Sequence, residues 1–480
     1  MMRRLGMTLM GVALAGCSMA PEYTTPEVAA PSAYKEQPAA GTSAPDAGSE
    51  QWKPAEPRDG EPRGAWWTRF GDPVLNEYEE RAASANQDLA AALARLEGSR
   101  ALVRVARSAQ MPRVEIGAAA AGVRPSSFLP GIPPPGIEAY NRFQFGANVR
   151  YELDLFGRVR DSVRAARSDN EANEALYQSL LLAIEADVAQ TYFLLRALDA
   201  ELAVLADIVT TREGDLAIYQ QQLAAGSISA TEVERARGEL DNARAEVQTV
   251  VRQRAQYEHG LALLLGLAPA DLTVTPAPLA SHLPEIPLGL PSALLERRPD
   301  IAAAERRMRA ANSRIGVARA AFYPVINLSA EAGFTADSIS NLLKFASHTW
   351  ALGPLAGALI AAPLFDGGRN KANLAGAEAE FDAEVANYRQ SVLNSFRDVE
   401  DQLVALRTLH EQSRAVASAN QAAARRLELA NSRFQSGASS YLGVLEARRE
   451  LIASRRVQKQ LDGARAASTV GLVRALGGDW

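Results

Sequence analysis

Cysteine and histidine, two residue types common in metal sites and in catalysis, are scarce in this chain of 480 residues. The chain has one cysteine, Cys17, and four histidines that lie far apart, at His259, His282, His348 and His410. Their spacing matches no metal-ligand motif, and a single cysteine forms neither an intrachain disulfide nor a cysteine-based zinc site. Nucleophile–base motifs and glycine-rich phosphate loops are also missing from the sequence. We therefore predict that the protein is not an enzyme and has neither a metal site nor a soluble cofactor.

The one cysteine follows two arginines and a short apolar run, a pattern typical of an export signal. The run is too short to cross a bilayer as a permanent helix. The segment Leu14-Ala15-Gly16-Cys17 resembles the bacterial lipobox, in which the cysteine becomes the lipidated first residue of the mature chain. We predict that residues 1–16 are removed and that Cys17 carries acyl chains such as palmitate, which anchor stably when two or three are present. Ser18 favours the outer membrane, since Asp at that position favours retention in the inner membrane.

The overall charge excludes a large class of partners. Lysine and arginine together number 51 against 56 acidic residues, which gives a net charge of −5. A dedicated nucleic-acid binder needs a basic face for phosphate contacts, so we expect no nucleic-acid partner. The hydrophobic fraction of 47% is enough for a substantial core. Residues 17–71 are rich in Pro, Ala, Ser and Gly over most of their length and predict an extended linker.

An internal repeat organises the rest of the chain. When the sequence is shifted by 211 residues, Arg158 falls on Arg369 and Gly226 falls on Gly437. The runs before the two arginines, Leu155-Phe156-Gly157 and Leu364-Phe365-Asp366-Gly367-Gly368, are also similar. Such a fixed offset over several positions indicates two structurally similar halves.

Each half contains segments in which apolar and polar residues alternate. Phe143, Tyr151 and Leu155 share one face, and Gln144, Asn148, Arg150, Glu152 and Asp154 share the other. Period-two alternation predicts strands, and their length also suits a tilted membrane-spanning strand. Four strands cannot close a barrel in lipid alone, so chains must pool them. Two chains would supply eight strands and three would supply twelve, and periodicity does not choose between them.

Long helices follow the strands in each half. Leu181, Val188, Leu195 and Leu202 recur every seven residues, as do Val385, Val392, Val399 and Leu406 in the second half. Sustained heptads without proline predict coiled-coil packing. A helix of roughly 65 residues is about 100 Å long, so two shorter helices must stack to match it.

The predicted fold class is therefore a mixed α and β membrane protein, with long antiparallel coiled-coil helices and a β-barrel completed by several chains. The predicted divisions are a signal peptide (1–16), a lipidated linker (17–71), a first repeat (72–270), an equatorial connection (271–298) and a second repeat (299–480). In the first repeat, a helix precedes strands at about 113–123 and 143–155, a long helix at 158–225 and a helix at 230–265. In the second repeat, the same order gives a helix at 299–322, strands at about 325–335 and 349–365, a long helix at 369–436 and a helix at 440–476.

Three segments carry a resemblance to a known family. They are the run Leu294-Leu295-Glu296-Arg297-Arg298-Pro299-Asp300-Ile301, the run from Ile315 to Pro324, and the run from Trp66 to Leu75. Together they resemble the TolC-like outer-membrane efflux factors, with the lipoprotein branch of the OprM or NodT type the most similar. The resemblance covers essentially residues 17–477.

The resemblance implies a homotrimer with a twelve-strand barrel in outer-membrane lipid and a helical tunnel in the periplasm. It also implies a periplasmic membrane-fusion adaptor and an inner-membrane pump of the RND type as partners. The trimer would conduct substrates passively out of the cell. The polar strand face would line a watery pore, and the apolar face would meet lipid.

The resemblance further implies a gate at the periplasmic helix tips. Glu446 matches a position where the family commonly has a lumen-facing acid, and Arg433 and Glu232 are its expected polar neighbours. The helix turns, at Gly226, Ser227, Gly437, Ala438 and Ser439, are expected to contact the adaptor. Gly443 and Phe434 depart from some members, which puts a second acidic ring and a phenol hydrogen bond in doubt.

Two other functions remain compatible with the sequence. One is the outer-membrane component of type I protein secretion, which shares the fold; the lipobox favours pump-linked efflux. The other is a non-channel periplasmic coiled-coil lipoprotein that acts as a spacer in the envelope, for which no barrel is expected.

Overall fold

The computed structural model describes residues 18–28, 30–31, 33–36, 64–124, 139–279, 283–284, 286, 297–353 and 358–478. The chain divides into two compact units. The first, which we call the strand unit, comprises Met1–Glu27, Arg95–Glu174 and Ala303–Arg389. The second, the helical unit, comprises Val28–Ala94, Ala175–Ala302 and Gln390–Trp480.

Seven helices carry most of the described chain. They are α1 (Pro73–Ala85), α2 (Gln87–Ser108), α3 (Arg158–Ala224), α4 (Ala230–Leu264), α5 (Pro299–Ala320), α6 (Arg369–Gln435) and α7 (Tyr441–Ala475). Both long helices, α3 and α6, contain 67 residues, and both return helices, α4 and α7, contain 35. These equal lengths reproduce the internal repeat in the structure. Among the described residues, no helix is long and apolar enough to cross a membrane.

The helix expected before the first strands is instead two helices, α1 and α2, separated by Asn86. The Asn86 side-chain oxygen accepts hydrogen bonds from the backbone of Asp88 and Leu89, at 2.9 and 3.1 Å, and so caps α2. Its amide nitrogen donates to the Leu264 carbonyl at 2.9 Å. Gly266 approaches so closely that an added Cβ would lie 2.2 Å from the Ala85 carbonyl oxygen. The break therefore accommodates the end of α4.

The strand unit contains one antiparallel sheet. Its strands are β1 (Arg113–Val123), β2 (Tyr140–Leu153), β3 (Val325–Ala336), β4 (His348–Leu352) and β5 (Ala358–Ala361). Their order is β1-β2-β3-β4, and β5 also pairs with β3. A one-turn helix, Ile339–Leu342, and a 3-10 turn, Phe345–Ser347, connect β3 to β4.

The register gives the sheet two chemically different faces. On one face Glu115, Asn148 and Glu331 lie side by side across three strands. On the other face Val114, Val149 and Ala330 do the same. Polar and apolar residues therefore continue across strand boundaries because side chains alternate along each paired strand.

Two strand predictions differ from the structure. The strand expected at about 143–155 is observed at Tyr140–Leu153, and Asp154 instead pairs with Arg160 at 3.2 Å. The strand expected at about 349–365 is observed as two short strands, β4 and β5. Pro354, which lacks a backbone N–H for a strand ladder, falls between them but lies outside the described residues.

The predicted linker at 17–71 is partly structured. Trp66–Phe70 form a 3-10 turn whose Trp66 and Phe70 rings are buried in the helical unit. In the strand unit, the Ser18 hydroxyl donates to buried Asp161 at 2.8 Å, and the Tyr23 hydroxyl donates to buried Glu305 at 2.6 Å. Specific hydrogen bonds thus hold residues directly after Cys17, whereas Cys17 itself lies outside the described residues.

Heptad positions of α3 and α6 supply the core of the helical unit. Val188 and Leu195 on α3 are fully buried, as are Val392 and Val399 on α6. Around α3 the core also contains Trp66, Phe70 and Phe193, with the Phe70 and Phe193 ring centres 4.9 Å apart. The apolar seam read from the sequence is therefore the packed side of each helix.

One buried acid in the helical unit lacks a hydrogen-bond partner among the described residues. Glu79 on α1 is fully buried, and neither of its carboxylate oxygens is hydrogen-bonded. Burial raises the pKa of Glu79 well above its usual range, and the negative charge of Glu185 adds to this shift. Glu185 itself accepts a hydrogen bond from the Trp66 indole at 3.1 Å. Burial therefore favours the neutral form of the Glu79 carboxyl.

We expect Glu79→Gln to be more stable than the wild type at pH 8, by on the order of 1–3 kcal/mol, with a smaller difference at pH 5. The pKa of Glu79 is higher in the folded state than in the unfolded state, so the wild type has its full free energy of unfolding below the unfolded-state pKa. That free energy falls as pH rises through the folded-state pKa, because ionisation of Glu79 then favours the unfolded state. Urea unfolding in detergent at both pH values measures the difference. Glu80→Gln, at an exposed neighbouring position, is the control, and equal pH dependence in both variants would contradict the prediction.

Candidate functional site

The two turns that join the long helices to the return helices have the same geometry. Gly226 has a φ of 72° and donates to the Leu223 carbonyl at 2.9 Å, while Ser227 N–H donates to the Gln222 carbonyl at 2.9 Å. This pair of bonds is a Schellman motif, which ends a helix with a residue in the left-handed region. The Ser227 hydroxyl adds a bond to the Gln222 carbonyl at 2.8 Å.

The second turn repeats the motif. Gly437 has a φ of 73° and donates to the Phe434 carbonyl at 2.9 Å, and Ala438 N–H donates to the Arg433 carbonyl at 2.8 Å. Ser439 follows in the exposed part of the turn. The ring centres of Phe434 and Tyr441 lie 5.1 Å apart across this turn. Both predicted turns thus present small exposed side chains at the end of a helical hairpin.

An apolar cluster lies close to these turns. Leu445 on α7 packs with Tyr219, Val233 and Ala236 of the first repeat. All four side chains are buried. The return helix of the second repeat is therefore packed on the helical hairpin of the first.

Among the described residues, no hydrogen bond or ion pair joins the three predicted gate residues to one another. Glu446 is exposed on α7, between buried Leu445 and Ala447. Glu232 pairs with Arg235 at 2.7 Å, one turn along the same helix. Arg433 is exposed, and the described part of the chain gives it no ion pair. Their predicted role in a gate therefore stays a prediction about the assembled protein.

Sequence analysis missed a row of ion pairs that joins α7 to the first repeat. We call Arg449 and Arg456 on α7 the arginine ladder. Arg449 lies 2.7 Å from Glu239 on α4 and 3.8 Å from Asp215 on α3. Arg456 lies 2.6 Å from Glu201 on α3 and also pairs with Glu246 on α4.

Several partners of the ladder are shielded from water. The side chains of Asp215 and Glu201 are 3% and 5% exposed, and Arg212 also pairs with Glu239. Burial raises the pKa of Asp215, which the nearby Arg449 and Arg212 partly offset. Partly buried pairs are screened less by salt than exposed ones. The ladder is therefore less sensitive to salt than a row of surface ion pairs.

A pattern in the sequence could have indicated the ladder. Arg449 and Arg456 are seven residues apart, and so are Glu239 and Glu246. Charges that recur every seven residues beside an apolar seam are typical of interhelical pairs in coiled coils. The apolar heptad positions alone do not indicate this charge pattern.

Within the described ranges, no group of three or more His, Cys, Asp or Glu residues is placed to hold a metal ion.

A two-fold repeat of long helical hairpins with a shared antiparallel sheet defines the class of TolC-like outer-membrane channels. Comparisons with known proteins agree. The family model "Outer membrane efflux protein" matches residues 80–267 and 290–478. The chain therefore belongs to the outer membrane efflux protein family, and its place is the outer membrane.

Individual relatives extend over nearly the whole chain. The probable efflux pump outer membrane protein SepC of Pseudomonas putida is 35% identical, over 98% of this chain and 96% of its own. The outer membrane protein OprJ of Pseudomonas aeruginosa is 33% identical, over 98% of this chain and 95% of its own. The crystal structure of the CmeC outer membrane channel of Campylobacter jejuni superposes with a TM-score of 0.85 at 25% identity, covering 97% of this chain and 95% of that one.

Proposed function

We propose that this outer-membrane efflux protein is the exit channel of a tripartite efflux system. In this proposal it forms a homotrimer that works with a periplasmic membrane-fusion adaptor and an inner-membrane pump of the RND type. It conducts substrates passively, performs no catalysis and needs no cofactor. The observation that carries the proposal is the sheet, which has one polar face and one apolar face. Three of its strands, β1, β4 and β5, pair on one side only within the described residues.

The edges and faces of the sheet support an assembly in lipid. Backbone groups on a free edge cannot be exposed to hydrocarbon, so strands in a membrane close into a barrel. Since β4 and β5 both pair with β3, they count together as one position in the sheet, which leaves four positions per chain. Three chains then supply twelve strand positions, within the range of outer-membrane barrels. We propose that the polar face, with Asn148 and Glu331, lines the pore, and that the apolar face, with Val149 and Ala330, meets lipid.

A gate at the helix tips forms the second part of the proposal. Three copies of Glu446 form an acidic ring around the tunnel, with Arg433 and Glu232 nearby. The arginine ladder holds α7 against α3 and α4, and so keeps the ring narrow. Opening then requires α7 to leave its partners on the first repeat.

The N-terminal contacts support a lipid anchor at Cys17. Ser18 and Tyr23 are fixed to Asp161 and Glu305 in the strand unit. An acylated Cys17 would therefore directly precede residues that are hydrogen-bonded to the strand unit. Acyl chains at this position add a second attachment to outer-membrane lipid.

The names of the relatives favour efflux over the other functions. SepC is named as an efflux-pump outer membrane protein, which supports pump-linked efflux rather than type I protein secretion. A non-channel spacer does not require a sheet with one polar face and one apolar face. The exposed turns Gly226–Ser227 and Gly437–Ser439 are the surfaces we assign to the adaptor.

Deletion of the gene tests this function. We expect the deletion strain to accumulate at least one compound from a panel of dyes and antibiotics, and wild-type protein to restore its removal. Ser227→Arg together with Ser439→Arg should fail to restore removal, since two bulky cations at the turns would block adaptor contact. Arg244→Ala, which alters an exposed pair with Glu213, is the control and should restore it. Unchanged accumulation of every compound after deletion would contradict the proposal.

A further inference from the structure

The segment that joins β3 to β4, residues 337–347, exposes large apolar side chains. We call it the β3–β4 loop. Its residues Ile339, Leu343 and Phe345 are 73%, 71% and 93% exposed. Exposed apolar side chains that are concentrated in one short segment mark contact sites for membranes or other molecules. The β3–β4 loop is therefore expected to contact a partner.

The polar groups of the β3–β4 loop bind one another around Asn341. The Asn341 side-chain nitrogen donates to Asp337 at 3.3 Å, and the Lys344 ammonium donates to the Asn341 side-chain oxygen at 2.7 Å. The Asn341 carbonyl accepts from the Ser347 hydroxyl at 2.8 Å and from the Lys344 backbone at 3.1 Å. These hydrogen bonds fold the loop on its polar side and leave its apolar side chains outside.

Ring contacts assign Phe345 to the apolar face of the sheet. The Phe345 and His348 rings are stacked, with centres 6.3 Å apart and planes 10° apart. The His348 ring also makes an edge contact with Phe334, its partner in the register, at 5.8 Å. Phe334 lies four residues after Ala330 in β3 and therefore shares the apolar face with it. Trp350 shares this face too, and it is 68% exposed.

The same loop carries an exposed cation. Lys344 is the one basic residue in 337–347, and Asp337 is the one acid. Asp337 accepts from Asn341, and the described residues give Lys344 no ion pair. A cation beside exposed apolar and aromatic side chains is typical of a segment at a membrane surface, where the apolar groups enter the headgroup region. The cation is then placed to meet lipid phosphates.

The position of the loop along the strands identifies the leaflet. β3 begins shortly after the end of α5, and the β3–β4 loop lies at the other end of β3. At the α5 end, Ile326 pairs with Leu153, shortly before the start of α3. In the proposed function these helices belong to the periplasm. The β3–β4 loop therefore lies at the cell-surface leaflet.

We propose that the β3–β4 loop binds lipid of the cell-surface leaflet. Leu343 and Phe345 enter the headgroup region, and Lys344 pairs with a phosphate of an anionic lipid. The proposal rests on the proposed channel and goes beyond it, because the loop belongs to no strand and supplies a separate lipid contact. This contact fixes the level at which the sheet ends in the membrane.

Collision accessibility of a nitroxide label tests the apolar part of the contact. The label is placed on Phe345→Cys, and the protein is reconstituted in lipid vesicles. Oxygen concentrates in lipid and a nickel chelate stays in water, so we expect the label to be more accessible to oxygen. Ala332→Cys, on the apolar face of β3, is the lipid reference, and Arg414→Cys, exposed on α6, is the water reference. Wild-type protein treated in the same way excludes labelling of Cys17.

The two references separate this proposal from the proposed function. Oxygen-accessible labels at both Phe345→Cys and Ala332→Cys support the lipid contact. A nickel-accessible label at Phe345→Cys with an oxygen-accessible one at Ala332→Cys overturns the contact and leaves the channel intact. A label at Phe345→Cys that is protected from both reagents indicates a protein contact and also overturns the proposal. Nickel-accessible labels at both positions overturn the proposed channel as well.

A charge variant tests the phosphate contact. The melting temperature of the trimer is measured in nanodiscs of phosphatidylcholine, with and without lipid A, an anionic lipid with exposed phosphates. We expect lipid A to raise the melting temperature of the wild type, and Lys344→Glu to lose most of this rise. Lys459→Glu, which changes a lysine of α7 paired with Asp462, is the control and should keep it. A full rise in Lys344→Glu would contradict the contact between Lys344 and phosphate.

Discussion

Cells that carry Arg449→Glu are expected to become permeable to large hydrophilic antibiotics that the outer membrane normally excludes. The substitution places a third acid beside Glu239 and buried Asp215, so the ion pairs that hold α7 become repulsive. A charge-assisted hydrogen bond contributes about 1.5–3 kcal/mol, and each 1.4 kcal/mol changes the open population about tenfold. Susceptibility to vancomycin, with protein level in the outer membrane held equal, measures the effect.

The control for Arg449→Glu is Arg244→Glu. Arg244 pairs with Glu213 between α4 and α3 at 2.9 Å, and both side chains are about half exposed. This pair lies within the first repeat, so its loss should not release α7. If Arg244→Glu and Arg449→Glu raise susceptibility equally, the ladder does not hold the closed state.

The second large effect is on folding. Asp199→Ala is expected to destabilise the protein by about 3–5 kcal/mol, because it leaves buried Arg196 without its anion and removes one of the two acids that pair with Arg254. Asp199 accepts hydrogen bonds from Arg254 at 2.6 Å and Arg196 at 3.1 Å, and also from the backbone of Ala277 at 3.2 Å. Thermal unfolding in detergent and the amount of trimer in the outer membrane measure the loss.

Asp199 also explains how part of the equatorial connection is fixed. Arg196 donates to the Thr275 carbonyl at 2.7 Å, and Arg254 donates to the Val274 carbonyl at 2.5 Å. Removal of Asp199 therefore loosens residues 274–277 from α3 and α4 as well. Asp207→Ala, at an exposed position of α3, should leave stability nearly unchanged. An equal loss in both variants would contradict the role of this network.

The parts of the fold that could be predicted from the sequence are those governed by periodicity. Apolar residues at heptad spacing gave α3 and α6, and alternating residues gave β2 and β3. Gly226 and Gly437 marked the turns, since a left-handed residue at a helix end favours glycine. These features depend on the spacing of residues close together in the chain, which can be read from a single sequence.

Other features depend on contacts between distant residues. Asn86 separates α1 from α2 because its side chain forms hydrogen bonds with both the α2 backbone and the carbonyl of Leu264, which is far away in the chain. Near the end of the predicted linker, the Trp66 indole donates to Glu185, a contact between residues far apart in the chain that composition does not indicate. The fourth strand was predicted as continuous although Pro354 interrupts the alternating run.

The candidate site was predictable only in outline. The resemblance placed it at the helix tips and proposed Glu446, which the structure shows exposed on α7. The arginine ladder requires knowledge of which helices pack together. Pairing of Arg449 with both Glu239 and Asp215 joins three helices, and sequence spacing alone does not give that geometry.

Single-channel recording in planar bilayers tests the central claim most directly. The claim is that this chain forms an outer-membrane channel whose helix tips are held closed. We predict that purified wild-type trimers show small, mostly closed conductances, and that Arg449→Glu gives larger and longer openings. Glu446→Gln recorded alongside should reduce selectivity for cations. Folded trimers without any conductance, in the wild type and in Arg449→Glu alike, would contradict the account.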